Sequence, residues 1–249
     1  SDVCSSDLET CYFRREKKDV LKDLPDLTRT TISVALDPET QEEYDICQKD
    51  LLTFLLEYRS CSEEEARKKL RMKALVRFMN LRSISGRGKM KATIEFLHDT
   101  EEQIIVFAEH RDVVSAIKKE FPDEVCTVTG SDSQQQKQLA IDSFQARKKR
   151  IIICSIKAAG VGLTLTASSN VVFVELPWTM ADLSQCECRA YRNGQKNAVT
   201  SWILMGANTI DGYLYSLIMQ KGSIASKVTG EQDSAIKDAA YFDELADLV

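Results

Sequence analysis

The sequence predicts an α/β fold, a mainly parallel sheet covered by helices and preceded by a helical connector region. Two observations carry this. From residue 104 onward the strand candidates are continuous apolar runs, such as Ile151 to Cys154 and Val171 to Val174, and a strand apolar on both sides is one buried between layers. Helix-length segments separate these runs, the alternation that builds a parallel sheet.

Taken in order, Thr28 to Leu36 alternates β-branched and apolar residues as a strand does, and Asp37 and Pro38 supply an N-cap and first-turn proline for a helix toward Arg59. Ser62 followed by Glu65 is a capping box, opening a second helix that places Leu70, Ala74, Leu75, Phe78 and Met79 on a helical period to Leu81. Ser83 to Gly88 reads as a polar, glycine-containing linker with a domain boundary near it. Beyond it the pattern predicts helix to Leu97, strand 104–108, helix 112–121, strand 125–129, helix 133–146, strands 151–155 and 171–176, helix 180–191, strand 200–205 and a last helix from Ile210 to Val228.

The first eight residues, SDVCSSDL, are spelled in order by the codons TCA GAC GTG TGC TCT TCC GAT CT, the end of a common sequencing adapter, and are expected not to be protein-coding. The expected division is therefore 1–8 artefact, 9–88 connector and helical region, 89–230 α/β lobe and 231–249 acidic tail.

With 249 residues, 43% of them hydrophobic, the chain can bury a large core. No apolar run approaches the length of a membrane span. The eight cysteines are scattered and form no C-x-x-C pair, which points to a reducing, cytoplasmic setting rather than to disulfides or zinc. Net charge is −5, but Arg59 to Lys91 holds eleven Lys/Arg against three acids, while Glu231 to Val249 holds six acids and one lysine. Such segregation is compatible with a nucleic-acid surface and equally with a solvated helix face and an acidic tail.

The chemistry concentrates in residues 151–195. A buried strand delivers Ser155 and Lys157 to its carboxyl end, and the turn from Ala158 to Gly162, A-A-G-V-G, lets backbone approach a phosphate or sugar closely. Gln185, Arg189 and Arg192 follow at spacings of four and three on a predicted helix, which would put them on one face. Guanidinium groups hold their charge and present forked donors that match phosphate oxygens. An ordinary surface helix, with salt bridges to a residue such as Glu187, fits the same spacing.

The order strand, A-G-x-G turn, strand, aromatic turn and Q-x-x-x-R-x-x-R-x-G-Q resembles motifs five and six of superfamily-two helicase-like ATPases. The ending Arg192, Asn193, Gly194, Gln195 resembles the Swi/Snf family in particular. Residues 12–25, YFRREKKDVLKDLP, are similar to that family's connector between lobes; Ile104 to His110 looks like motif four; residues 129–145 resemble the segment that follows it. The V-V-F-V-E-L-P-W run and residues 209–227 look most like the annealing-helicase branch. Departures from the family pattern are Cys186, Cys188 and Tyr191 in the motif-six helix and Lys157 after the strand.

The resemblance implies the second, C-terminal RecA-like lobe of a DNA-dependent ATPase. By it, Arg192 is an arginine finger, Arg189 a second phosphate contact and Gln185 a polar link to the nucleotide or the other lobe. Gly160 and Gly162 line the ribose, and Ser155, Lys157 and Trp178 face DNA, with a core or turn anchor as the alternative for Trp178 and a solvated lysine for Lys157. ATP and Mg²⁺ would be held mainly by an N-terminal lobe outside this sequence, with double-stranded or branched DNA as partner and the cytoplasm, or a nucleoid, as location. No G-x-x-x-x-G-K-[ST] or D-E-x-H occurs, and Gly86 to Lys89 only imitates the end of the former, so the chain alone is expected to be inactive. A non-catalytic α/β nucleotide- or DNA-binding module and a lobe of another superfamily-two motor are the alternatives.

Overall fold

The computed structural model describes residues 24–62, 64–158 and 162–228. The adapter-like residues 1–8, most of the connector 12–25 and the acidic tail lie outside them. Strands β1 (Leu27–Val34), β2 (Ile104–Phe107), β3 (Val125–Val128), β4 (Ile151–Cys154), β5 (Asn170–Phe173) and β6 (Val199–Gly206) alternate with helices α1 (Pro38–Ser60), α2 (Glu64–Gly88), α3 (Met90–Asp99), α4 (Arg111–Glu120), α5 (Gln134–Gln145), α6 (Met180–Glu187) and α7 (Ile210–Val228). The six strands form one sheet in the order β1-β6-β5-β2-β4-β3, and every pair is parallel. The expected fold is therefore present.

Both faces of the sheet are buried, which explains why the strands read as unbroken apolar runs. Ile105, Phe107, Ile152, Cys154, Val171 and Phe173 pack toward α5, α6 and α7 through Phe144, Leu183, Cys186, Leu214 and Ile218. The alternate residues Ile104, Val106, Ile151, Ile153 and Val172 meet Leu97 of α3 and Val113 and Ile117 of α4. Ser133 and Gln136 close a reciprocal capping box at the start of α5, and Asp37 caps α1 by accepting the Thr40 N–H at 3.0 Å. The Ser62–Glu65 box rests on side chains outside those described.

Residues 27–88 are joined closely to the sheet. Strand β1 adds to its edge along β6, from Leu27 beside Val199 to Val34 beside Gly206, and α1 and α2 bury Tyr44, Leu51, Leu55, Ala74, Phe78, Leu81 and Ile84 in a cluster that includes Ile210 of α7. The stretch Ser83 to Gly88, expected as a linker, is the last part of helix α2. Its small and polar residues serve close packing. A Cβ on Gly88 would lie 2.9 Å from Thr40 Cγ2, and Ser85 donates to Asp211 at 2.9 Å.

Lys89, between α2 and α3, is 1% exposed and donates to Asp211 at 2.6 Å and to the Leu204 carbonyl at 3.0 Å. The same Asp211 oxygen accepts the Gly206 N–H at 3.0 Å. Burial would raise the Asp211 pKa, but the Lys89 ammonium and these hydrogen bonds outweigh it and hold the group below the usual carboxylate range. Lys89 is therefore occupied structurally and is no phosphate-binding lysine of a Gly86–Lys89 loop.

Replacing Lys89 by Met strands a buried carboxylate and should cost about 3 to 5 kcal/mol in urea unfolding, with the double variant Lys89→Met/Asp211→Leu closer to the parent. Because the Asp211 pKa is depressed on folding, its contribution is present above the unfolded value and disappears as pH falls through the folded one. Unfolding midpoints measured across that acid range should therefore converge for the parent and Asp211→Asn.

Candidate nucleotide and DNA interface

The expected site residues lie at the carboxyl end of β4, on the turn before α6 (Trp178), on α6 itself (Gln185) and in the chain after it (Arg189, Arg192). Ser155 donates its N–H to the Val128 carbonyl at 3.1 Å, and its hydroxyl accepts the Ala158 N–H at 3.3 Å. Lys157 is exposed. Gly160 lies outside the described residues, while Gly162 is exposed and a Cβ there would meet nothing within 4 Å. From Leu163 to Ser168 the chain runs as a strap against the segment that follows α6.

Helix α6 is shorter than the spacing predicts. It starts at a Thr179 cap and stops at Glu187, with Cys188 as C-cap, instead of continuing to Tyr191. Lateral bonds compete with the helical ladder there: the Arg189 carbonyl accepts the Leu165 N–H at 2.9 Å, and the Ala190 carbonyl accepts the Gln195 side chain at 3.3 Å. Gln185, Arg189 and Arg192 therefore do not share a helix face. Gln185 is exposed on α6, Arg189 is buried in the turn after it, and Arg192 is exposed beyond.

The carboxylate offered by the ordinary-surface reading is already occupied. Glu187 is fully buried and receives Arg29 of β1 through Nε and Nη2, both at 2.7 Å. Among the described residues no carboxylate pairs with Arg189 or Arg192. Arg192 donates to the Leu163 carbonyl and the Thr164 hydroxyl, each at 3.2 Å. Arg189 is 7% exposed, with Nε buried and lacking a hydrogen-bond partner. Burial above all pushes its pKa below the usual guanidinium value. A buried, unsatisfied cationic donor beside a second arginine fits an anionic group such as a phosphate.

Sequence reasoning missed two features, and a third settles Trp178 as the turn anchor that was one of its two readings. Gln195 fastens the strap: its amide donates to the Ser168 carbonyl at 2.8 Å, and its oxygen accepts the N–H groups of Lys196 and Asn197 at 2.9 and 3.0 Å. The preceding Gly194 has φ +98°, a conformation that favours glycine. Glu175 is 4% exposed and accepts the N–H groups of Glu109 and His110 at 2.6 and 2.9 Å, together with the His110 ring. Burial would raise its pKa, yet His110 and those amides bring it below the ordinary value. Arg82 lies over Trp178 with its guanidinium carbon 4.2 Å from the ring centroid, and Phe78 stacks on the same indole at 5.5 Å. Trp178 thus anchors α2 to the turn before α6.

Four of the described side chains in the basic stretch Arg59 to Lys91 are committed to separate contacts. Arg77 pairs with Asp50 at 2.5 Å, Arg87 with Glu43 at 2.8 Å and Lys89 with Asp211 at 2.6 Å, while Arg82 is buried on Trp178. Burial pushes the thiols of Cys154 and Cys186 well above their usual pKa and that of Cys126 to about 11. Among the described residues no group of three or more His, Cys, Asp or Glu could hold a metal ion, and no helix is long and apolar enough to cross a membrane.

The helicase conserved C-terminal domain model matches residues 88–194. The chain is 29% identical over 227 residues to the SWI/SNF-related matrix-associated actin-dependent regulator of chromatin subfamily A-like protein 1 of Drosophila melanogaster, covering 87% of this chain and 28% of that protein. It is 28% identical over 232 residues to the mouse DNA annealing helicase and endonuclease ZRANB3, covering 91% of this chain and 21% of that protein. In structure it resembles the C-terminal part of the Fun30 ATPase domain, with a TM-score of 0.68 at 16% identity over 90% of this chain and 97% of that one. It also resembles the Sulfolobus solfataricus SWI2/SNF2 ATPase core in complex with dsDNA, with a TM-score of 0.67 at 24% identity over 93% of this chain and 51% of that one.

The chain is a Swi/Snf-type helicase C-terminal lobe. It spans under a third of the length of these two relatives.

Two changes on either side of the α6 turn should separate structure from surface in this helicase lobe. Arg29→Met leaves Glu187 buried without its partner and should cost about 3 kcal/mol or more, whereas Arg192→Ala, at an exposed position, should stay within about 1 kcal/mol of the parent. Urea denaturation followed by circular dichroism checks both. Equal losses in the two variants would contradict this division.

Proposed function

We propose that this lobe completes the ATP site of a DNA-dependent ATPase and translocase, with Arg192 as arginine finger and Arg189 as a second phosphate contact. The observation that carries the reading is the pairing state of these residues. Glu187, the nearby carboxylate, is held by Arg29, while Arg189 keeps a buried donor without a partner. Ligands of open parallel sheets collect at the carboxyl ends of the strands, where β4 delivers Ser155 and Lys157.

In this reading a second, N-terminal lobe holds most of ATP and its Mg²⁺, and the bound nucleotide supplies the phosphoryl group whose developing charge the arginines stabilise. Gln185, exposed on α6, reaches toward the nucleotide or the other lobe, and Gly160 and Gly162 border the ribose. Ser155 and Lys157 meet the DNA backbone, and Trp178 meets DNA only with the part of its ring left exposed beside Phe78 and Arg82. The double-stranded DNA of the structurally similar Sulfolobus core supports duplex DNA as the partner. An isolated lobe without the phosphate cradle and magnesium ligands would not turn over ATP. A non-catalytic module would use the same arginines to bind an anion and would show no dependence on a second lobe.

The test is steady-state ATP hydrolysis with saturating DNA in a two-lobe enzyme containing this chain. Arg192→Ala should lower kcat by on the order of 10³ to 10⁵ with little change in ATP affinity. Arg192→Lys should fall nearly as far, since an ammonium keeps the charge but loses the fork. Turnover within about threefold of the parent in both variants would make Arg192 structural, because a surface contact is worth ~1 kcal/mol or less. Measurable DNA-stimulated hydrolysis by the 249-residue chain alone would overturn the two-lobe reading.

A further inference from the structure

Strand β1 forms one edge of the sheet and pairs only with β6 among the described residues. The N–H groups of Val199 and Ala207 donate to the carbonyls of Asp26 and Val34. The even-numbered residues of β1 therefore bond inward, and the N–H and C=O groups of Arg29, Thr31 and Ser33 point away from β6. Folded proteins usually blunt such an edge with a short strand, a bulge, a proline or an outward lysine. Strand β1 has none of these. It runs eight residues, LTRTTISV, in unbroken register with β6, and its one charge, Arg29, is turned toward the buried Glu187 under α6. Thr28, Thr31 and Ser33 are exposed. A cavity of about 440 Å³ opens at the carboxyl end of the strand, with Val34, Leu36, Lys91 and Ala92 in its lining. Lys91 is exposed and in no ion pair among the described residues.

We propose that β1 pairs antiparallel with β1 of a second copy about a two-fold axis at Thr31, joining the two sheets edge to edge. Thr31 then faces its counterpart and Arg29 faces Ser33, and each of these pairs exchanges both of its hydrogen bonds across the seam. Thr30 faces Ile32 and Thr28 faces Val34, pairs of β-branched side chains of the kind that stabilise antiparallel neighbours. The place of the axis follows from charge and length. At Arg29 it would set two guanidinium groups against each other, and at Ser33 it would carry the pairing toward α1, which starts at Pro38. With Thr31 on the axis, Asp26 of each copy lies across from Leu36 of the other. Asp26 is exposed and, at an even position, continues the side of β1 that packs with Ile32 toward α3. It therefore brings a carboxylate to the cavity where Lys91 has none. An unrelated extended peptide would satisfy the free backbone groups, but the lead into β1 also supplies the charge that Lys91 lacks. A two-fold contact is closed, so it stops at two copies. Strands β6, β5 and β2 separate this edge from β4, and the pairing is independent of the ATPase reading.

Sedimentation velocity and light scattering on the 249-residue chain in reducing buffer read the association directly. The parent should pass from 28.1 kDa to twice that mass as concentration rises. Thr31→Pro should stay single-copy while melting as the parent does, because proline removes an N–H that β6 does not use. Thr31→Lys and Thr31→Glu each set like charges across the axis at an exposed position and should weaken association by about tenfold or more. An equimolar mixture of the two should regain it. Asp26→Lys should also weaken association, and Asp26→Lys/Lys91→Asp should restore it. A parent that remains single-copy at every concentration overturns the proposal, as does association that persists in both Thr31→Pro and Thr31→Lys. Failure of the mixed lysine and glutamate variants to pair removes the axis at Thr31 and the proposal with it.

Discussion

Lys89 places its ammonium where four pieces of chain meet: the end of α2, the start of α3, the carboxyl end of β6 and the first turn of α7. Its partner Asp211 also receives Ser85 and the Gly206 N–H, so the carboxylate is satisfied from three directions. A buried ion pair contributes little net stability compared with a well-packed apolar pair, but its geometry tolerates few alternatives. Here it sets the position of α2 against the sheet. The close approaches around it follow, with a Cβ on Gly206 meeting Thr209 at 2.8 Å and one on Gly88 meeting Thr40 at 2.9 Å. Tyr44 of α1 adds a second tie by accepting the Ile210 N–H at 2.7 Å, and burial raises its phenol to about 12.

From that fixed helix the organisation passes to the site. Phe78 and Arg82 of α2 hold Trp178, Arg82 also donates to the Leu176 carbonyl, and Thr179 then caps α6. At the far end of α6, Arg29 of the edge strand holds Glu187, and Gln195 ties the following turn to the strap of residues 163–168. The two arginines are thus carried on a segment held at both sides by other residues. Arg189 keeps a buried Nε without a hydrogen-bond partner, and Arg192 rests on the Leu163 carbonyl and the Thr164 hydroxyl rather than on a carboxylate among the described residues.

The fold was legible because its strands are apolar on both faces and its helices carry their caps in the sequence, as at Asp37 and Ser133. Boundaries were legible to within a few residues except where tertiary bonds override local pattern. The end of α6 is such a place, since the bonds to Leu165 and Gln195 depend on residues distant from the helix. Ser83 to Gly88 is another: glycine and serine signal a linker by composition, while here they are small because Thr40, Leu36 and Asp211 press against them. The arginines were singled out by their motif, but their separation onto different segments after the early end of α6 was not legible in it. The identity of the residue holding Glu187 was not, because Arg29 lies 158 residues away and no local spacing relates the two.

Charge gives the same lesson in another form. The run from Arg59 to Lys91 looks like a basic surface when counted along the chain. Folding distributes its members among different duties: Arg77 and Arg87 brace the hairpin against α1, Lys89 closes the buried junction, and Arg82 seats the indole. A cation already paired at contact distance projects little field, since its partner cancels it within a few ångströms. Among the described residues, the cations with no carboxylate partner include Lys69 and Lys73 on α2, Lys157 after β4 and Arg189 with Arg192 after α6. These fall in separate places on the fold, one set on the helical hairpin and the other at the carboxyl end of the sheet, so that a partner of the hairpin and a ligand of the sheet can each be recognised without competing for the same charge.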